Sequence, residues 1–320
     1  MGFDTSSVDV NELDEVRAIE EGFKKAYSGD LKGTVEAVDK LKGFALQLIP
    51  LDADAENELD IKALVISIGD IARVSAEMKM EQACSVSGRV LGDISLEAAG
   101  QKRETIAIKA LSIVGSLALE FAGKGLDAAA ISAAESLGTC GKGYSRMKME
   151  TLISLAEAYL LQVSLLSIEK SLNKTGIAAI SYLGEIGVAS AKQAIETSTL
   201  EASAEQAIEN STLEAAVILE DLGNAAVREN NESCTKAVIE ALENLGTEVS
   251  QGRMKNILVQ IAWSLEMIRL LALERGMKGA CFAAKAALES INTAGLLDAE
   301  QNLERIREIK EFHSFILKKS

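Results

Sequence analysis

The feature that most constrains the fold of this chain is a glycine, preceded by an apolar residue, that returns every 23 residues. Four copies lie at this interval, a fifth follows after two intervals, and the last two are again 23 residues apart: Gly69, Gly92, Gly115, Gly138, Gly184, Gly223 and Gly246. Met-Lys pairs keep the same period, because Lys79 and Lys148 are 69 residues apart and Lys255 and Lys278 are 23 apart. Two markers with one period predict a chain built from repeated units.

Each unit has the pattern of one helix followed by a short turn. In residues 101–123, apolar side chains recur every three or four positions, which is one face of a helix: Ile106, Ala110, Val114, Leu117 and Phe121. Short turns make successive helices antiparallel, and alternating strand patterns are nearly absent. The prediction is an all-α fold, an α-α superhelix (solenoid) of about 12–14 antiparallel helices with 46 residues in each pair.

The repeated glycines lie in the middle of the predicted helices, where glycine is unfavourable. Each costs about 1 kcal/mol relative to alanine, so seven cost about 7 kcal/mol, which is comparable to the net stability of a domain. A missing side chain allows a neighbouring helix to approach closely. We therefore expect these glycines at helix–helix contacts.

The segments SIGDIA, at Gly69, and YLGEIG, at Gly184, resemble the ALGxIGD helix motif of HEAT-like repeats. A pair length of 46 residues also lies in the HEAT/armadillo range. The resemblance extends over roughly residues 60–295. It implies a protein-interaction scaffold.

The N-terminal part is predicted to differ from the repeats. Residues 1–50 form a helical pair, about Val10–Ser28 and Asp30–Leu48, which ends at Pro50, the single proline. The acidic segment LDADAENELD, residues 51–60, is interpreted as a connector.

The repeat array is predicted over residues 61–297, with a change of phase near 197–212. The interval between two of its glycines is 39 rather than 46 residues there, and STLEA occurs twice, each time as a possible capping box. The pattern predicts a short helix near Thr199–Glu209 and a new helix from Thr212.

Residues 298–320 are predicted to form a C-terminal capping helix, about Asp298–Lys318. Apolar residues occur at every third position, and the other face is charged, as the end of a repeat array requires. The apolar residues are Leu303, Ile306, Ile309 and Phe312. We interpret His313 as a partly exposed residue of this cap rather than a ligand.

Composition excludes several functions. A single His leaves no room for His-clustered metal sites or for most Ser–His and Cys–His catalysis. The net charge of −15 argues against nucleic-acid binding.

The segment GTCGKGYS, residues 138–145, has two residues between its first glycine and Gly-Lys, whereas a phosphate-binding loop has four. The prediction is a protein that is not an enzyme and binds no cofactor or metal.

Cysteine spacing and hydropathy predict the compartment. The four cysteines are at least 47 residues apart, so there is no CxxC motif, and free thiols suit a reducing cytoplasm. The N-terminus is acidic and lacks an apolar signal core. Three apolar stretches, 106–123, 151–168 and 257–273, contain charged residues, which favours buried helices over membrane spans.

Lysines recur at one phase of the repeat, and two interpretations are open. Cations favour helix C-termini, so helix-end chemistry alone is one explanation. The other is a binding surface along the helix ends, and we predict a partner-binding edge at Lys79, Lys124, Lys148 and Lys170. The predicted function is a non-enzymatic scaffold or adaptor that binds another protein. The alternatives are a helical enzyme with a carboxylate-lined cleft and a peripheral membrane-associated helical protein.

Overall fold

The computed structural model describes residues 10–51, 55–197, 202–251 and 254–292, and these form twelve α-helices with no strand among them. The bounds are α1 Val10–Tyr27, α2 Leu31–Leu48, α3 Ala55–Glu77, α4 Glu81–Gly100, α5 Glu104–Gly123, α6 Asp127–Met147, α7 Glu150–Glu169, α8 Asn173–Thr197, α9 Ala202–Arg228, α10 Glu232–Gln251, α11 Lys255–Glu274 and α12 Lys278–Asn292. The all-α prediction is confirmed. The predicted C-terminal helix, Asp298–Lys318, lies outside the described residues.

The chain divides into two compact units, residues 1–182 and 183–320. In the first unit, α1, α3, α5 and α7 pack side by side in one layer, and α2, α4 and α6 form a second layer. In the second unit, α9 packs on α11 and α10 packs on α12 in the same way. Within each unit, these helices contact their sequence neighbours and the next helix but one, which is the packing of an α-solenoid.

The turns between helices follow one pattern at a 23-residue interval. Residues with positive φ lie at Lys79, Lys102, Gly125, Lys148 and Ser171. In each turn, the following residue donates its backbone N–H to a carbonyl five residues back, as Met80 does to Ser75 at 2.8 Å. This is the Schellman motif, in which a left-handed residue ends the helix. The lysines of the repeat are therefore part of the helix ends.

Replacing three left-handed lysines with glycine is expected to stabilise the protein. Lys79, Lys102 and Lys148 have φ of 56°, 61° and 58°. A left-handed conformation costs a residue with a Cβ about 1–2 kcal/mol. Glycine avoids this cost but loses more backbone entropy on folding, so the triple variant should gain about 2 kcal/mol in the free energy of unfolding. Urea unfolding followed by circular dichroism measures the gain.

The control for this prediction is Lys109→Gly, at an exposed position inside α5. This change removes the same side chain where φ is helical, and it should destabilise the protein by about 1 kcal/mol. If both variants are destabilised, the left-handed lysines are not a source of strain.

The repeated glycines lie at helix–helix contacts, as predicted. All seven are buried, and each faces a residue of the next helix but one. A Cβ built on Gly69 would lie 2.6 Å from Ile113 of α5, and one on Gly138 would lie 2.6 Å from Cβ of Tyr182. The contact persists across the change of phase, because Gly184 of α8 faces Ala241 of α10 at 2.7 Å.

The prediction of a new helix at Thr212 is wrong. Helix α9 continues without a break from Ala202 to Arg228, and Ser211 and Thr212 lie inside it, 4% and 0% exposed. Buried apolar residues continue at helical spacing beyond this point, so burial outweighs the local capping preference. The first STLEA segment, from Ser198, begins outside the described residues.

Helices α1 and α2 lie within residues 1–50, where the helical pair is expected, and α3 extends into the expected acidic connector. Asp30 caps α2 by accepting a hydrogen bond from Gly33 N at 3.0 Å. That bond, with the ammonium of Lys25, lowers the pKa of Asp30. Helix α3 begins at Ala55, so residues 55–60 of the predicted connector are helical. Glu58 pairs with Lys62 at 2.6 Å, one turn further along this helix.

Three helices, α5, α7 and α11, are long and apolar enough by composition to cross a membrane. Packing in the array buries 61%, 50% and 44% of their apolar windows. Two charged residues of these helices are enclosed by the packing. Glu157 of α7 is fully buried, and Glu266 of α11 forms a bidentate pair with Arg269 at 2.6 and 2.7 Å.

Candidate interaction groove

The four lysines of the predicted binding edge lie at helix ends, and two of them make structural contacts. Lys124 Nζ pairs with Glu120 at 2.7 Å and with Glu77 of α3. These two hydrogen bonds raise the pKa of Lys124. Lys170 Nζ donates to the carbonyl of Gly123 at 3.1 Å. These contacts join the ends of α3, α5 and α7.

The other two lysines, Lys79 and Lys148, are exposed left-handed residues. Lys79 follows α3 and shares an edge with Lys124 and Lys170. Lys148 follows α6, so it lies at the opposite ends of the helices. The four lysines therefore do not form one continuous edge.

A groove in the first unit crosses the three helices of its second layer, α2, α4 and α6. We call it the unit 1 groove, and its volume is about 370 Å³. The charged residues of its lining are Asp39 and Lys42 of α2, Arg89 and Asp93 of α4, and Glu135 of α6. None of the four predicted lysines lines it.

Small residues form the floor of the unit 1 groove, because α4 and α6 approach each other closely. A Cβ on Gly88 would lie 3.6 Å from Cα of Ala133, so the backbones are nearly in contact. One on Gly92 would lie 3.1 Å from Ser136 and 3.6 Å from Sγ of Cys140. Side chains that project from these helices therefore form walls above a shallow, rigid floor.

The charges of the unit 1 groove are only partly paired. Lys42 Nζ and Asp93 Oδ2 form an ion pair at 2.5 Å that joins α2 to α4. Asp39, Arg89 and Glu135 are exposed and make no hydrogen bond or ion pair within the described ranges. Each comes from a different helix of the layer. The groove thus presents two carboxylates and one guanidinium that are available to a partner.

A buried polar cluster supports the groove from below. The Ser95 hydroxyl donates to the carbonyl of Ala107 at 2.7 Å, so the Tyr144 hydroxyl donates to Ser95 Oγ at 2.6 Å. The thiol of Cys140 donates to the carbonyl of Gly92 at 3.4 Å. Tyr144 is fully buried, and its burial raises the pKa of its hydroxyl. These bonds fix the relative positions of α4, α5 and α6.

The three buried thiols, Cys84, Cys140 and Cys234, lack the lowered pKa of a reactive cysteine. Burial raises the pKa of Cys84 and Cys140 to about 12 and that of Cys234 to about 11, so these thiols stay protonated at neutral pH. Cys281 is half-buried. No group of three or more His, Cys, Asp or Glu in the described ranges has the arrangement of a metal site. The segment 138–145 lies inside α6, not in a loop.

Sequence reasoning missed the groove, although part of its signal was present. Arg89 and Glu135 are 46 residues apart, one full pair, and each lies three residues before a repeated glycine. A periodic glycine marks the face that contacts the next helix but one, so the position three residues earlier lies beside that contact. Asp39 precedes Arg89 by 50 residues across the connector, so the period does not locate it.

No protein-family model matches this chain, and no curated protein is significantly similar in sequence. One similar solved structure is described as a circular tandem repeat protein with novel repeat topology and enhanced subunit contact surfaces. It is 13% identical, the match covers 92% of this chain and 79% of that chain, and the TM-score is 0.41. A likeness of this size carries no argument by itself. The assignment to the helical-repeat, all-α solenoid class stands on the twelve helices and their contacts.

Proposed function

We propose that this chain is a non-enzymatic scaffold that holds a segment of another protein in the unit 1 groove. The observation that carries the proposal is the set of three charges without partners in the described structure, Asp39, Arg89 and Glu135, on three neighbouring helices. Charges fixed on rigid helices pair with a partner at little entropic cost. In the same groove, Lys42 and Asp93 of neighbouring helices already form an ion pair with each other.

The charges also indicate the chemistry of the partner. Two available carboxylates and one guanidinium favour a segment with basic side chains and one acidic side chain or free carbonyl group. The net charge of −15 attracts such a basic segment over longer distances. The proposal includes a cytoplasmic location, since all four cysteines are free thiols.

The alternative of a carboxylate-cleft enzyme has weaker support. The carboxylates of the groove alternate with Lys42 and Arg89. A general acid and base pair instead needs carboxylates whose surroundings separate their pKa values. The rim of a protein–protein interface, in contrast, is polar and can carry such mixed charges.

A peptide-display selection tests the proposal. Immobilised full-length protein is used to select from a random library of displayed peptides, and the enriched peptides are measured against two variants. Arg89→Glu with Glu135→Arg exchanges two groove charges without changing the net charge. We expect enriched peptides to carry Lys or Arg and to lose at least about tenfold in affinity for this variant, since a favourable pair becomes a repulsive one.

The matched variant is Lys79→Glu with Lys148→Glu, which changes the exposed lysines of the predicted edge. Peptides that bind in the groove should keep their affinity for it. If the peptides lose affinity only for the lysine variant, they bind at the helix ends, and this would contradict binding in the unit 1 groove. Failure to enrich any peptide, or equal affinity for all three proteins, would contradict the scaffold proposal.

A further inference from the structure

The available charges on α2 and α4 in the unit 1 groove lie at the same height along their helices. Lys42 of α2 pairs with Asp93 of α4 at 2.5 Å, so these two residues are neighbours across the two helices. Asp39 lies three residues before Lys42, and Arg89 lies four residues before Asp93. Three or four residues are about one helical turn, and α2 and α4 run in the same direction because one antiparallel helix separates them. Asp39 and Arg89 are therefore neighbours one turn below the ion pair.

Glu135 of α6 continues this line on the other side of α4. A Cβ on Gly88 of α4 would lie 3.6 Å from Cα of Ala133 of α6. Arg89 follows Gly88 by one residue and Glu135 follows Ala133 by two, so their heights differ by about 1.5 Å. We call Asp39, Arg89 and Glu135 the charge row. From α2 to α6 it presents a carboxylate, a guanidinium and a carboxylate.

The packing of the helices sets the distance between the members of the charge row. The axes of packed helices lie about 8–10 Å apart, so a charge recurs at about this interval from α2 to α4 and from α4 to α6. The three side chains form no ion pair with one another within the described ranges, which agrees with such a spacing. A partner must therefore present complementary charges at intervals of about 9 Å.

A chain in the polyproline II conformation has this spacing. It returns to the same side every three residues and advances about 9 Å in that interval. In a β-strand, residues three apart point to opposite faces. An α-helix advances about 10 Å in seven residues, but a bound helix usually lays an apolar face into an apolar groove. The lining of the unit 1 groove instead has five charged residues and only three larger apolar ones, Val86, Val90 and Leu96.

We infer that the unit 1 groove binds a polyproline II segment of another protein whose charges are basic, acidic and basic at every third residue. The inference rests on the proposed function and specifies the sequence of the partner at that site. The two basic side chains pair with Asp39 and Glu135, and the acidic side chain pairs with Arg89, whose guanidinium can hold a carboxylate by two hydrogen bonds. The pattern is the same in both chain directions, so it holds for either orientation of the bound segment.

Two peptides of identical composition test the order of the charges. Both carry fluorescein at the N-terminus and an amide at the C-terminus. The first is Arg-Pro-Pro-Glu-Pro-Pro-Arg, and the second is Arg-Pro-Pro-Arg-Pro-Pro-Glu. Fluorescence anisotropy with the full-length protein should give at least about tenfold higher affinity for the first peptide, because the second places two like charges against the charge row in either orientation.

A variant with an inverted charge row provides the matched test. The substitutions are Asp39→Arg, Arg89→Glu and Glu135→Arg, all at exposed positions, so the circular dichroism spectrum should not change. This variant should prefer Glu-Pro-Pro-Arg-Pro-Pro-Glu to Arg-Pro-Pro-Glu-Pro-Pro-Arg by at least about tenfold, whereas the wild-type protein should have the opposite preference. General attraction of basic peptides to an acidic protein does not produce such an inversion.

Equal affinity of the wild-type protein for the two peptides of identical composition would overturn the inference. Higher affinity for a helical peptide with the same charges seven residues apart would also overturn it. The proposed function fails separately, when the display selection enriches no peptide. Enriched peptides with another charge pattern that lose affinity for the Arg89→Glu and Glu135→Arg variant would support the proposed function and overturn this inference.

Discussion

Replacing Tyr144 with alanine is expected to lower the free energy of unfolding by about 4 kcal/mol. Tyr144 is the largest fully buried side chain of the described residues, and it lies where α4, α5 and α6 meet. Its removal leaves a cavity that these closely packed helices cannot fill, because the contact of Gly88 with Ala133 already brings α4 and α6 together. Chemical unfolding followed by circular dichroism measures the loss.

Tyr144→Phe separates packing from hydrogen bonding. The ring remains and the hydroxyl with its bond to Ser95 is lost, so the expected cost is about 1 kcal/mol. Ser95 keeps its own bond to the carbonyl of Ala107. The phenylalanine variant should also retain peptide binding in the unit 1 groove, since the floor keeps its shape. Similar losses for the two variants would show that the cavity is not the main cause of the destabilisation by alanine.

The sequence predicts which helix faces pack against each other better than it predicts the residues of the surface groove. The repeated glycines mark the helix contacts, because only glycine fits where a neighbouring helix approaches this closely. The requirement recurs in each repeat, so it is visible in the sequence as a regular spacing. The left-handed turn positions share the period, but lysine occupies three of them, Lys79, Lys102 and Lys148. A helix end tolerates the conformational cost of a non-glycine residue, so residue type alone does not identify these turns.

Two features could not be predicted, for different physical reasons. The continuation of α9 through Ser211 depends on burial of the helix face around it, which is a tertiary effect that outweighs capping. The unit 1 groove depends on the lateral positions of three helices from different pairs. Whether Arg89 pairs with a neighbour or stays available is decided by side-chain geometry, which a periodic pattern does not contain.

The glycine contacts themselves are tested by Gly115→Ala combined with Gly138→Ala, which should destabilise the first unit by about 4 kcal/mol. A Cβ on Gly115 would overlap the ring of Tyr159 in α7, and one on Gly138 would lie 2.6 Å from Cβ of Tyr182. Overpacking costs about 3 kcal/mol at each site, and the better helix propensity of alanine returns about 1 kcal/mol at each. Unfolding monitored by circular dichroism measures the net effect.

The matched control is Gly43→Ala combined with Gly123→Ala. Both glycines are helical, and no atom lies within 4 Å of a Cβ built on either. The same two substitutions should therefore stabilise the protein by about 2 kcal/mol, through helix propensity alone. Opposite signs for chemically identical changes would follow only from the contacts. If both double variants are stabilised, then close approach of α5 to α7, and of α6 to α8, is not the reason that glycine occupies these positions.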